Sequence, residues 1–413
     1  MQTTPGRTFS MRAPAFTLLA CALALGLTAH AAVTPETDPV VLSFATVGDS
    51  RQDPVSPDGT TPLATMSGQD KLWLQNSKAF SRILRSVQAQ KPSMLFFNGD
   101  MVHGYGWAGY GYTSNAAGSA LNGGAAASAV PVMPTTVSDI VNSDLLKFYQ
   151  QYAFWRGMVA PVMETGTYIV PVPGNHEVQC KACGKVAKVE NENAWRANMG
   201  DLIIDTARFK AVTGFDASHV NVGDNRAADS LATAQTQLSY SFDVGSSHFA
   251  VINTDPVGAD STGPAGWLAA DLGAAQSRGA KNFFVFGHKP AYTYVYAAGV
   301  SAGGLDAKPT QRDNLWAVVE AFGATYFCGH EHIFNMAQPK GSAWQVLVGA
   351  GGSPFDSKLG VASVTSGLTP NTDRSYSWAT VSVRKSGKVD ITAYGFSDSF
   401  GPTQVLKQVS LAH

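Results

Sequence analysis

The stretch VLSFATVGDSRQDP, residues 41–54, carries an apolar run into a carboxylate and then an arginine. Val41 to Val47 reads as a buried strand, and it stops abruptly at Gly48-Asp49. Arg51 follows two residues later. If Asp49 holds a metal, a cation there is an awkward neighbour.

The same sentence recurs along the chain: a short apolar run, a glycine, then a polar residue. MLFFNGD ends at Asp100, TYIVPVPGNHE at Glu177, NFFVFGH at His288, ATYFCGHEH at His332 and WQVLVGAGG at Gly352. Runs this short, rich in Val, Ile and Phe, read as strands covered on both faces. Amphipathic patterns lie between several of them. Residues 71–90 place Trp73, Phe80, Ile83, Leu84 and Val87 on one face, ended by Lys91-Pro92. Residues 139–155, 264–276 and 311–322 read as further helices. Strand and helix in alternation predict an α/β protein with covered sheets, whose ligands bind outside the carboxyl ends of the strands. Every polar cluster named above sits at such an end, so one site converging from distant parts of the chain is expected. Two antiparallel pairs complete the pattern: YSFDVG with HFAVINTD, and WATVSVR with VDITAY across Lys385-Ser386-Gly387-Lys388.

The chain has 413 residues, 45% of them hydrophobic and 14% charged, ample for a large core. Arg7 and Arg12 precede an apolar run over residues 13–29, and Ala29-His30-Ala31 supplies a small-x-small site. Residues 1–31 therefore read as a secretory signal peptide, with residues 32–413 as one catalytic domain. Cleavage leaves 27 basic against 30 acidic residues, a formal −3. That balance favours neither nucleic acid nor an acidic membrane as a stable partner. The expectation is a soluble protein, secreted or periplasmic. Cys180 and Cys183 in CKAC could be a disulfide loop, a redox pair or half a zinc site, and an oxidising compartment favours the disulfide. Cys328, in an apolar run, reads as a buried free thiol. Residues 104–136 form a low-complexity insertion beside Asp100, either a surface loop or a lid using Trp107, Tyr110 and Tyr112.

Asp49, Asp100, Asn175, His176, His288, His330 and His332 gather carboxylate, amide oxygen and imidazole, ligands suited to first-row metals. Each piece alone is weak; the order GD, GD, GNHE, GH, GHEH is not. That ordered set resembles the calcineurin-like metallophosphoesterases, closest to the purple acid phosphatase-like branch, over most of the chain from about Val40 to about Tyr394. The resemblance implies a four-layer α/β/β/α sandwich of two mixed sheets flanked by helices. It implies two divalent or mixed-valence metal ions (Fe, Zn or Mn) at the strand ends. Asp49, Asp100 and His332 would hold the first, Asn175, His288 and His330 the second, with Asp100 bridging and His176 near the leaving group. Two such cations clamp a phosphoryl group and acidify water, which suits hydrolysis of small phosphate esters, phosphomonoesters favoured over diesters or nucleotides. A non-catalytic metal-binding scaffold is the rival. Glu331 reads as a support behind the ligands or as a solvent-facing residue.

The chain departs from the family at two positions. Many members have histidine where this chain has Arg51, and the purple phosphatases have a metal-binding tyrosine where it has His103. His103 is the candidate substitute ligand, or merely polar surface. Arg51 stays protonated and is no ordinary ligand. It is a candidate grip on substrate phosphate, or a partner for Asp53.

Overall fold

Short runs of Val, Ile and Phe fit a pleated surface better than a helix, and here they fold as strands. The computed structural model describes residues 37–54, 68–109, 137, 141, 143–294, 303–356 and 375–411. The signal-peptide reading of residues 1–31 lies outside the described residues, as do Tyr110 and Tyr112. The chain divides into two units, Met1–Thr37 and Asp38–His413, and the elements below belong to the second.

In chain order these are β1 (Val40–Val47), α1 (Gly68–Gln90), β2 (Met94–Asn98), α2 (Asp144–Glu164), β3 (Tyr168–Val172) and α3 (Asn175–Val178). Then come β4 (Gln179–Cys180), β5 (Val186–Ala187), α4 (Val189–Met199), α5 (Thr206–Thr213), β6 (Ala217–Asn221), β7 (Tyr240–Val244) and β8 (Ser247–Ile252). The rest are α6 (Ala265–Ser277), β9 (Asn282–Gly287), α7 (Pro309–Ala321), β10 (Thr325–Cys328), β11 (Phe334–Ala337), β12 (Gln345–Val348), β13 (Tyr376–Arg384), β14 (Val389–Phe396) and β15 (Gln404–Leu411).

Two large mixed sheets result, one ordered β15-β14-β13-β1-β2-β3, the other β11-β12-β10-β9-β8-β7-β6. In the first, β1, β2 and β3 run parallel and β13 pairs antiparallel with β1. In the second, β8, β9, β10 and β12 run parallel. The sheets meet through phenylalanines. Phe44 of β1 and Phe96 of β2 pack on Phe249, Phe286 and other rings of the second sheet, with Phe96 stacked on Phe286 at 3.7 Å between centroids. Outside the first sheet, α1 and α2 bring Phe80 and Trp155 onto Phe97. Outside the second, α6 and α7 bury Trp267, Leu268, Leu315 and Trp316. The result is the four-layer α/β/β/α sandwich.

Two local differences from expectation stand beside one agreement, at the cysteines. The helix expected over 139–155 is described from Asp144 and continues to Glu164. Ser143 caps it by accepting from Leu146 N, and buried Val159 and Val162 extend its apolar face past Gly157 and through Pro161. Asn175 and His176 open the short helix α3 rather than a loose turn. Cys180 and Cys183 form a disulfide at a Cα–Cα distance of 5.2 Å, while Cys328 is a buried free thiol. No helix among the described residues is long and apolar enough to cross a membrane.

Candidate metal centre

Asp49, Asp100, His288 and His330 each follow a strand end, and each follows a glycine. The glycines are there for space. A Cβ at Gly329 would lie 2.2 Å from Asp49 Oδ2, and one at Gly174 would lie 2.3 Å from Asp100 N. Asp49, Asp100 and His330 themselves have φ of 62°, 52° and 72°, a left-handed backbone that side chains rarely adopt. Such conformations persist where the surroundings over-determine them, and here they do. Asp49 N donates to Gly99 O at 2.9 Å, Ser353 N donates to Asp49 O at 3.0 Å, and Gly48 N donates to Val348 O at 2.9 Å. The ends of β1, β2 and β12 are thereby stitched together.

Glu177 secures the Asp100 turn. Its buried carboxylate accepts from the backbone N–H groups of Asp100, Met101, Val102 and Gly174 at 2.8–3.2 Å. Glu331 does similar work, accepting from Tyr294 N with both oxygens while fully buried, so it is not solvent-facing.

Three histidines are anchored alike. His176, His288 and His332 each turn Nδ1 to a backbone carbonyl, of His103, Asn98 and Pro354 respectively. A carbonyl only accepts, so each Nδ1 carries the proton and each Nε2 presents a lone pair. His288 Nε2 lies 3.2 Å from Asp100 Oδ1, 2.8 Å from Asn175 Oδ1 and 3.2 Å from His330 Nδ1. His330 Nδ1 is 2.9 Å from Asn175 Oδ1. The Asn175 amide donates Nδ2 to Tyr105 Oη, which leaves its oxygen facing the two histidines. On the other side, His332 Nε2 and Asp49 Oδ1 stand 3.6 Å apart. Both are buried and have no hydrogen-bond partner among the described residues. Asp49 Oδ2 is satisfied by His330 N at 2.9 Å.

The electrostatics separate the two carboxylates. Burial pushes Asp49 well above the usual carboxylate range, and the Asp100 charge adds to the effect. Burial opposes the ionisation of Asp100 as well, but His176, His288 and Arg51 around it outweigh burial and lower its value. His288 is lowered by burial, and His332 is lowered to about 4 by burial and by the Arg51 charge. Asp49, Asp100 and His288 place ligand atoms within 4.8 Å of one another, a group that could hold a metal ion. Oxygen and unprotonated nitrogen acceptors facing one another at about 3 Å repel unless a cation lies among them, so the donor set fits a metal.

The two departures from the family find definite places. Arg51 pairs with Asp100 Oδ2, through Nη2 at 3.2 Å and Nε at 3.4 Å, rather than with Asp53. His103 Nδ1 instead lies 4.0 Å from Asp53 Oδ2. His176 donates its backbone N–H to Asp100 Oδ1 at 3.0 Å and holds Nε2 3.5 Å from Asp100 Oδ2. Trp107 is tied to Glu190 through Nε1 and to Asp144 through its backbone N–H. Two residues that the strand-end pattern does not reveal join the site. Tyr105 packs its ring tilted against His176, 3.8 Å between centroids. Asp356 accepts from His332 N at 2.8 Å and bears on Arg51 and Asp49. Asp356 lies on a loop, and nothing in its local sequence distinguishes it from an ordinary polar turn.

No protein-family model and no curated protein matches the chain. Among solved structures, the purple acid phosphatase from seeds of yellow lupin (Lupinus luteus) superposes with a TM-score of 0.52 at 13% identity, over 89% of this chain and 53% of that one. A dimetal phosphatase from Danio rerio gives a TM-score of 0.45 at 10% identity, over 89% and 99% of the two chains. A 5'-nucleotidase from Candida albicans gives 0.32 at 11%, over 82% and 47%. The chain thus spans about half the length of the lupin phosphatase. Two mixed sheets packed face to face, helices on both outer faces and that first superposition agree: the chain has the two-sheet sandwich fold seen in a purple acid phosphatase.

Proposed function

We propose that this chain is a metal-dependent phosphoesterase that hydrolyses small phosphate esters, with monoesters favoured. The observation that carries the reading is a cluster of facing ligand atoms: Asn175 Oδ1, His288 Nε2 and Asp100 Oδ1 with His330 Nδ1 beside them on one side, Asp49 Oδ1 and His332 Nε2 on the other. Those two groups would hold two metal ions, of Fe, Zn or Mn, with Asp100 between them. When bound, such ions offset charge building on the phosphoryl oxygens and acidify a water for attack. The protein's own part is positional. Glu177 fixes Asp100, the backbone carbonyls fix the imidazole tautomers, and Tyr105 fixes the Asn175 amide. Arg51 and His176 border the bridging carboxylate and are the groups placed to meet a phosphate dianion and its leaving group. His103, beside Asp53, stays the candidate for an added ligand at the first position. Residues 1–31 support export to a secreted or periplasmic location, and the Cys180–Cys183 disulfide supports an oxidising compartment.

The test is metal analysis of purified protein joined to a panel of phosphomonoester and phosphodiester substrates. Bound metal with monoester turnover is expected, and Asp100→Asn should lower kcat/KM at least a hundredfold. Protein that takes up no metal and turns over no ester would overturn the reading in favour of a non-catalytic scaffold.

A further inference from the structure

We infer that the two cation positions are unequal, the one on the Asn175 side tight and the one on the Asp49 side weak, and that Arg51 is the cause. The inference rests on the metal reading above and adds an order of filling to it.

The two oxygens of Asp100 face different company. Oδ1 looks toward His288, 3.2 Å away, and so toward Asn175 and His330. Oδ2 is already engaged by the Arg51 guanidinium through Nη2 and Nε. The position beside Asn175 can therefore draw on four atoms: a carboxylate oxygen, a neutral amide oxygen and two imidazole nitrogens. The position beside Asp49 has Asp49 Oδ1 and His332 Nε2, with His103 as its candidate addition, and the remaining Asp100 oxygen, Oδ2, is shared with a permanent cation. Guanidinium does not deprotonate to make room.

Arg51 is also held at that place by its backbone. Its N–H donates to Asp100 O at 2.9 Å, Gln52 N donates to Met101 O at 2.8 Å, and Gln52 bridges Val102 as in a parallel sheet. The Arg51 backbone is thus tied to the residues it neutralises. Its charge reaches Asp49, His332 and His176, and is itself stabilised by Asp100, Asp49 and Asp356. Lys289, the residue after His288, is satisfied by Asp255 at 2.6 Å and Ser261 at 2.8 Å. Repulsion between the guanidinium and an incoming divalent ion thus falls on the Asp49 position.

The experiment is a titration of chelator-stripped protein with Mn²⁺, followed by calorimetry and by bound-metal analysis at graded free metal. One tight equivalent and a second at least tenfold weaker are expected. Arg51→Ala should bring the two within threefold. Arg51→Met, which keeps the aliphatic stem, serves if the alanine variant fails to fold. His332→Ala should remove the weak equivalent alone, and His288→Ala the tight one. Two indistinguishable equivalents in the unaltered protein, or a gap that persists without the guanidinium, would overturn the inference and leave the metal reading standing. Uptake of no metal at all would overturn both.

Discussion

At the scale of single residues, the site depends on which atom of each side chain is left over after its anchor is made. His288 and His332 give Nδ1 to carbonyls and keep Nε2 for the centre. Asn175 gives its amide nitrogen to Tyr105 and keeps its oxygen. Tyr105→Phe removes that acceptor and lets the amide turn. A neutral hydrogen bond is worth about 1 kcal/mol net, so metal affinity should fall roughly fivefold with the fold intact. Metal titration beside a circular dichroism spectrum checks this; unchanged affinity would mean that His288 and His330 alone orient Asn175. Most of these donors were legible in the sequence, because glycine before a polar residue at a strand end is a local signal. Tyr105 and Asp356 were not, since what places them is loop backbone paired with distant segments. The partner of Arg51 was equally hidden. Asp53 is nearer in sequence, but the left-handed backbone at Asp49 and Arg51 turns the chain so that Asp100 receives the guanidinium.

At the scale of elements, the strands ending in glycine and three of the four expected helices were read well. An apolar run of five or six residues ending in glycine announces a strand whatever surrounds it. The end of α2 was obscured because Gly157 and Pro161 are stop signals that packing overrode. A charged cluster far from the metal centre ties β7, β8 and α6 together. His248, fully buried on β8, lies 2.6 Å from Asp243 Oδ1 and 2.9 Å from Asp271 Oδ2, and Arg278 also pairs with Asp243. Burial alone would lower its value, but the two carboxylates outweigh burial and raise it. A raised folded value means the contribution is complete below about pH 6.5, the unfolded value, and is lost as pH rises through the folded one. Denaturant unfolding should therefore show stability falling as pH rises from about 6.5. His248→Gln should flatten it and cost about 1–3 kcal/mol at pH 6, less at pH 8.5. An identical slope in the variant would place the titration elsewhere.

At the scale of the molecule, the two sheets are held by rings more than by backbone. Phe44 and Phe96 are fully buried between them, each touching several rings of the opposite sheet. Phe96→Ala should cost about 3–5 kcal/mol, read as a lowered denaturant midpoint. The candidate ligands span the same junction, with Asp49 and Asp100 from one sheet and His288, His330 and His332 from segments following strands of the other. A metal that binds only the assembled form should stabilise it by about 2.7 kcal/mol at a hundredfold excess over Kd. Thermal melts with and without Mn²⁺ or Zn²⁺ should show that rise, and Asp100→Asn should abolish it.

That junction has a kinetic side. Asp49 and His330 touch although 281 residues separate them, and closing so long a loop is slow and comes late. The first sheet's own β1–β13 pairing spans a longer stretch still, so metal uptake during refolding should wait for both sheets and for their meeting. Its rate would time the moment at which the halves meet, which would make the proposed ion a stopwatch for assembly.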